Sequence, residues 1–342
     1  MSAMQGYALL ITGLLFAQYT VTAGVDFGAG LLGLAAFLRH HTEAARLAEE
    51  VISPVWEVTN VFLVIFALAL VSLFPAATAL YGDVLLLPVA TGLLLLVGRF
   101  MAFGLREAFP AAHRGLAVIH GITGWLVPAP LMAFLVVSEG LGVSSQAGLL
   151  QLDASRLLHD PFTWALITAA LAGEIALAGS LLRGFAASRG ERGAARFFGR
   201  WALGGLGVSA AGGGAATLIL SRAGLLGASS WLAPLAALTL VALAWSVWRL
   251  LADDPHRGAF LTIVAAYGAG LAAFAISHLP YLFRPALTVA QASNDPPMLA
   301  VLVPAFGFAL VAAVPVIAWI YLYLPNQGPT PAAGGPDPSA RG

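Results

Sequence analysis

The chain reads as an all-α polytopic membrane protein of about nine transmembrane helices, N-terminus outside and C-terminus cytoplasmic. Three observations predict this. Of 342 residues, 60% are hydrophobic and only 9% charged, where a soluble domain carries about 25% charged residues. Apolar runs of roughly 20 residues, enough to cross a ~30 Å hydrocarbon layer as a helix, recur along the sequence. The 16 basic residues, all arginine, concentrate in alternate connections between those runs.

The first run, Tyr7–Leu38, is long enough to tilt or project beyond the bilayer. It lacks the basic start and cleavage site of a signal peptide and is expected to stay as a span. Its Gly24, Gly28, Ala29, Gly30 and Gly33 permit close helix approach, and no strand precedes them to suggest a nucleotide loop. Residues 39–53 are expected to form a short polar surface helix. Pro54–Phe74 and Leu80–Leu105 follow, Asp83 being a candidate cap for the latter. The remaining spans are Leu116–Val137, Pro161–Leu182, Trp201–Leu220, Ser230–Leu251, Ala259–Leu279 and Met298–Leu324. In the sixth, Gly212-Gly213-Gly214 suggests a locally weak helix or a close backbone contact. Residues 1–324 make one helical membrane domain, and the Pro/Gly/Ala-rich tail 325–342 is expected to be disordered.

Nine spans put Arg39, Arg46, Arg106, Arg114, Arg183, Arg189, Arg192, Arg196, Arg200, Arg249, Arg257 and Arg341 on one side and only Arg156, Arg222 and Arg284 on the other. The arginine-rich side is therefore expected to be cytoplasmic, with the Arg189–Arg200 segment a topological anchor rather than a binding patch. The zero net charge argues against an electrostatic nucleic-acid partner, and the absence of cysteine excludes thiolate metal sites, iron–sulfur ligation and disulfides.

Charge inside the spans is the functional signal. A lone charge in hydrocarbon costs from ~3 to more than 10 kcal/mol, so such groups face protein or water and usually pair. Asp26, Glu57 and Arg99 all fall in the inner half of the first three spans. Carboxylates beside an arginine within reach of one membrane face are the parts of a proton path. Plainer readings exist: a helix N-terminus favours an acid such as Glu57, and Arg99 could snorkel to the interface. Glu174, in the middle of span five, has no obvious partner and stays unassigned. His120 could ligate haem or a metal, but no second histidine follows at i+3, i+4 or i+7. His278, ending span eight, reads as interfacial.

These residues, in this order, resemble subunit II of cytochrome bd-type quinol oxidases. The family's T-D-G-F-D-x-G signature is matched by Thr22-Ala23-Gly24-Val25-Asp26-Phe27-Gly28, and its P-x-W-D-G-N-x-V-W pattern by Pro54-Val55-Trp56-Glu57-Val58-Thr59-Asn60-Val61-Phe62. Phe74-Pro75, Tyr81-Gly82, Arg99 within Gly98 to Phe103, Val127-Pro128, Asp160-Pro161-Phe162, Pro280-Tyr281 and Thr288–Asp295 extend the similarity. It covers nearly the whole layout and is specific mainly in residues 20–107. This chain departs from the pattern at Ala23, where the family has an acid, at Glu57 for aspartate, and at Val58, Thr59 and Phe62.

The resemblance implies a haem-free subunit of a terminal oxidase in the bacterial cytoplasmic membrane. Its partner, subunit I, would carry the haems and the quinol site and reduce dioxygen to water. No candidate pair of axial ligands is evident in this chain, which agrees; a bound quinone is possible in the family. Asp26, Glu57 and Arg99 would then line a cytoplasmic proton inlet toward the partner, with Gly24, Gly28, Trp56 and Asn60 as packing residues. Two other classes stay open: a secondary transporter with midplane acids, which should show an internal repeat, and a quinone- or haem-binding anchor using His120 and His278.

Overall fold

The computed structural model describes residues 2–146, 149–227, 229–252 and 258–318. Among them, nine helices are long and apolar enough to span a membrane. The tail expected from Pro325, the end of the ninth span at Leu324, Arg257 and Arg341 lie outside the described residues.

Helix α1 (Ala3–Leu38) starts at a capping box, Ser2 accepting from the Gln5 amide while Gln5 bonds back to Ser2. Its 36 residues extend about 54 Å, well beyond one crossing. The chain turns at His40, φ 57°, into α2 (Thr42–Leu73). Here the structure corrects the expected separate surface helix: the polar segment and the second span are one continuous helix. The reason is an apolar stripe at helical spacing, Ala44, Leu47, Ala48, Val51, Ile52 and Val55, buried in the same core as Ala178, Leu182 and Ala194.

Pro75 opens α3 (Pro75–Val84), because proline at the first helical position needs no amide donor. After a break at Leu85, α4 (Leu86–Ala108) is the third span. Asp83 therefore belongs to the preceding short helix, is exposed, and does not cap the span. The fourth span is α5 (His113–Leu126), α6 (Pro128–Leu131) and α7 (Ala133–Ser138) in series. Pro128 and Pro130 interrupt it by removing amide donors. A hairpin, β1 (Val143–Gln146) with β2 (Leu149–Leu152), leads to the short α8 (Ala154–His159). Asp160 caps α9 (Pro161–Ser188), its carboxylate accepting the Phe162 amide at 2.8 Å.

Helix α10 (Arg192–Arg222) runs unbroken through its glycine triplet. At Gly205 and Gly212 an added Cβ would lie 2.8 Å from backbone oxygens of α9, whereas Gly213 and Gly214 face open space. The triplet thus provides a close helix contact, not a weak point. Helices α11 (Leu232–Leu251) and α12 (Gly258–His278) pair with each other. Strands β3 (Tyr281–Phe283) and β4 (Leu287–Thr288), the capped turn α13 (Val289–Ala292) and the last span, α14 (Pro296–Ala318), complete the described chain.

Helices α1 and α9 are the two most enclosed spans. They meet where glycines remove side chains from the seam: a Cβ at Gly24 would lie 2.9 Å from Leu177, and one at Gly28 would overlap the backbone of Glu174. Helices α2, α5 and α14 also pack against α1. Whatever α1 carries on its inward faces is therefore held in protein rather than in lipid.

Candidate functional site

Asp26 and Arg99 meet in the interior. The Arg99 side chain is 0% exposed and that of Asp26 1%. Arg99 Nη2 donates to Asp26 Oδ1 at 2.6 Å and to the Asp26 carbonyl at 3.3 Å. The guanidinium also lies 5.0 Å from the centre of the Phe27 ring, a favourable position over the π face. Glycines make the space. A methyl group at Gly124 on α5 would fall on Arg99 Nη1, and one at Gly30 on α1 would lie 3.1 Å from it. Arg99 is about nine residues, or ~14 Å, from the end of α4, too deep to reach the interface there. The snorkelling reading fails.

His120 closes the other side. Its Nδ1 is 3.4 Å from the Arg99 carbonyl, and its ring lies tilted against that of Phe103, centroids 5.4 Å apart. Its Nε2 abuts α1, since a Cβ at Gly30 would lie 3.5 Å away. Among the described residues no cluster of three metal-ligating side chains occurs.

Glu174 of α9 is the member the sequence left unassigned. It is 5% exposed and lies in the electrostatic field of both Arg99 and Asp26. Buried polar atoms without a protein partner collect here: Asp26 Oδ2, Arg99 Nε and Nη1, His120 Nε2 and Glu174 Oε2. On the same α1 helix, Thr12 Oγ1 and Gln18 Nε2 are also unpartnered. Buried polar atoms left free by protein are normally satisfied by ordered water.

Glu57 does not join them. Its neighbours on α2, Val55 and Thr59, are buried, while Glu57 is exposed. Two residues from Val55 is a rotation of about 200° on a helix, so the α2 face that packs inward turns Glu57 outward. Among the described residues it makes no ion pair or hydrogen bond. Trp56, half-buried, packs on Phe100 and Phe103 at 5.7 and 6.0 Å. Asn60 is half-buried, and Thr59 spends its hydroxyl on the Val55 carbonyl at 2.9 Å. Ala23, where the resembled family has an acid, lies in an apolar cluster with Phe27, Phe62, Leu96 and Val127.

A second buried polar cluster sits at the opposite end of the bundle, and sequence reasoning missed it. Glu139, its side chain 0% exposed, bonds His278 Nδ1 and Arg284 Nη1, each at 3.1 Å. Arg284 also donates to the carbonyls of Leu225 and Ser277. Tyr81 hydroxyl donates to the Leu282 carbonyl at 2.6 Å and lies 2.7 Å from Ser138 Oγ. Burial pushes that phenol up to about 12, so it stays a donor. The signal was faint: Glu139 and Arg284 are 145 residues apart, and charges at span ends are ordinary. His278, at the end of its span, is buried in this cluster.

At the arginine-rich end, Arg46 pairs with Glu50 and Glu191, Arg189 with Glu50, and Arg106 with Glu49. Of these partly exposed pairs, Arg46–Glu191 and Arg189–Glu50 tie α2 to the α9–α10 turn and Arg106–Glu49 ties it to α4, each worth up to about 1 kcal/mol. Arg183 caps the last turn of α11 by donating to the carbonyls of Leu250 and Ala252.

Comparison with known proteins gives a consistent picture. The sequence model of the family described as "Cytochrome bd terminal oxidase subunit II" matches residues 4–324. A Bacillus subtilis (strain 168) protein provisionally named a cytochrome bd menaquinol oxidase subunit II is 35% identical over 187 residues. That alignment spans 54% of this chain and 53% of the relative, so the chain matches about half the length of its curated relative. A chain of the solved bd oxidase from Geobacillus thermodenitrificans superposes with a TM-score of 0.77 at 25% identity, covering 94% of this chain and 99% of that one.

Proposed function

The chain belongs to the cytochrome bd terminal oxidase subunit II family, and from that premise we propose that it is the haem-free second subunit of a quinol:oxygen oxidoreductase of the bacterial cytoplasmic membrane. In this reading a partner subunit carries the haems and the quinol site, and this chain supports its assembly and delivers protons. The arginine-rich end faces the cytoplasm. The menaquinol in the name of the Bacillus subtilis relative makes a quinol the proposed electron donor.

The observation that carries the proton role is the Asp26–Arg99 pair with Glu174 in its field, enclosed between α1, α4, α5 and α9 and rich in polar atoms without protein partners. Two carboxylates near one guanidinium hold one more negative charge than the cation neutralises when both ionise. Like charges disfavour ionising together, so the cluster is built to hold a proton and exchange it through bound water. Arg99 favours the ionised form of whichever carboxylate it contacts, and burial opposes it.

Glu57 takes a different place in this reading. An exposed carboxylate about 24 Å along α2 from its Leu73 end would be costly against lipid. The surrounding exposed surface is apolar, with Val61, Val64 and Leu68 on α2 and Leu94, Val97 and Met101 on α4. We assign that surface to the haem-bearing partner, with Glu57 at the seam as the last proton carrier of this chain.

The test is to purify the two-subunit complex with Asp26→Asn, Glu174→Gln or Glu57→Gln and measure quinol-driven oxygen consumption, proton uptake and the haem spectrum. Slowed turnover with normal haem content is expected for all three. Full rates with normal proton uptake would place the path elsewhere, and loss of haem or partner would reduce these residues to a structural role.

A further inference from the structure

Beside the paired arginines of the arginine-rich end lies a set that is not paired. Arg39, His41, Arg196, Phe197, Arg200 and Trp201 line a cavity of about 340 Å3, with Gly193 at its wall. Among the described residues, none of Arg39, Arg196 and Arg200 makes an ion pair, although Arg46 and Arg189 close by are satisfied by Glu50 and Glu191. Glu43 stands at the rim, its Oε2 3.7 Å from a Cβ built at Gly193, without bridging to any of the three. Three cations thus converge on one hollow with Glu43 at its rim, the neighbouring Glu50 and Glu191 being engaged by Arg46 and Arg189.

The backbone adds to that charge. Helix α10 begins at Arg192 with no capping side chain and no acid in its first turn. The positive end of the helix favours an anion, and the carboxylate of its N-cap residue Glu191 is already shared with Arg46. The apolar wall is as specific. Arg39 lies 5.5 Å over the Trp201 ring, and the His41 ring 5.3 Å from that of Phe197. Trp201 opens the apolar run of its span, the level where tryptophan rings sit at a membrane boundary. The hollow is therefore cationic at its mouth and aromatic toward the hydrocarbon.

We propose that this cavity binds a phosphate-bearing anion, and that its depth makes an anionic phospholipid headgroup the source, with free inorganic phosphate as the other source of the same chemistry. Arginine forks bind phosphate oxygens in bidentate fashion, and basic pockets between membrane helices on the cytoplasmic side hold anionic headgroups. The acyl chains would lie along α10 past Trp201. The site is separate from the proton cluster and does not depend on the oxidase reading.

The test uses the purified two-subunit complex in neutral detergent, titrated with phosphatidylglycerol, phosphatidylcholine or inorganic phosphate. The readouts are melting temperature and lipid retained in native mass spectrometry. Phosphatidylglycerol should raise the melting temperature and stay bound, and phosphatidylcholine should not. Arg196→Gln with Arg200→Gln should weaken phosphatidylglycerol binding about thirty-fold, because each arginine near an anionic surface is worth roughly a factor of five. Arg114→Gln, at the same end but outside the cavity, should bind as the parent does. If the double variant does not assemble, Gly193→Glu replaces it. A side chain fits there, meeting only Glu43 and His41 at 3.7 Å, and its carboxylate would occupy the arginines and abolish the response. A response to inorganic phosphate equal to that of the lipid assigns the free anion. Equal response to phosphatidylcholine, or undiminished phosphatidylglycerol binding by the variants, overturns the proposal.

Discussion

Two buried charge clusters in this chain are built on opposite principles. At the end away from the arginine-rich connections, Glu139 is held by His278 and Arg284, and Arg284 by two further carbonyls. None of their side-chain nitrogens or oxygens is among the buried atoms lacking a partner. In the interior, Asp26 and Arg99 make one strong contact, yet five buried polar atoms of Asp26, Arg99, His120 and Glu174 go without a protein partner. A saturated cluster rigidifies a fold. An unsaturated one is costly, and natural interiors keep such groups where water or proton chemistry needs them. The difference separates a clamp holding the hairpin β3–β4 against α7 and α12 from a cluster with polar atoms left over for water, the one proposed above to carry protons.

Several substitutions would break or sharpen that distinction, from the largest expected effect downward. Arg284→Met leaves Glu139 enclosed without its cation, and a broken buried pair costs about 3–5 kcal/mol. It should lower the melting temperature of the detergent-solubilised complex more than any change described next. Gly124→Ala places a methyl group on the Arg99 guanidinium. Overpacking of this kind costs about 1–3 kcal/mol, and displacing Arg99 from Asp26 should slow oxygen consumption as well. Glu174→Gln keeps the shape of a side chain that makes no ion pair among the described residues. Stability should change by less than about 1 kcal/mol, while turnover falls roughly ten- to a hundred-fold, as for loss of a positioned proton-transfer group. Equal loss of stability in Glu174→Gln and Arg284→Met, with turnover untouched, would erase the contrast. Glu57→Gln, at an exposed position, should change the stability of the chain by about 0.5 kcal/mol or less and show its effect in proton uptake by the complex.

Much of the fold was legible in the sequence. Nine apolar runs became nine candidate spans among the described residues, and Asp160-Pro161 marked the start of α9 because both residues act locally as cap and first position. The continuity of residues 39–53 with the second span is not legible in the sequence, because the polar face of this segment masks an apolar stripe that faces the core. At the site, Asp26 and Arg99 were identified by their cost in hydrocarbon, which needs no knowledge of neighbours. That Glu57 lies outside the buried cluster and Glu174 inside it was hidden for the opposite reason. Depth along a helix follows from counting residues, but rotation about its axis does not when nearly every face is apolar.

Composition and run length by themselves determined the class of this protein, its spans and the depth of each ionisable group, since hydrocarbon thickness and the cost of burying charge act on each segment alone. Tertiary packing decided which groups meet. The glycines at 24, 28, 30 and 124 let α9 and the Arg99 guanidinium close on α1, bringing Asp26, Arg99, His120 and Glu174 together, while the inward packing of Val55 and Thr59 on α2 turns Glu57 outward. Such proximity depends on how apolar faces of similar energy fit one another, and that is settled only when all the helices are in place.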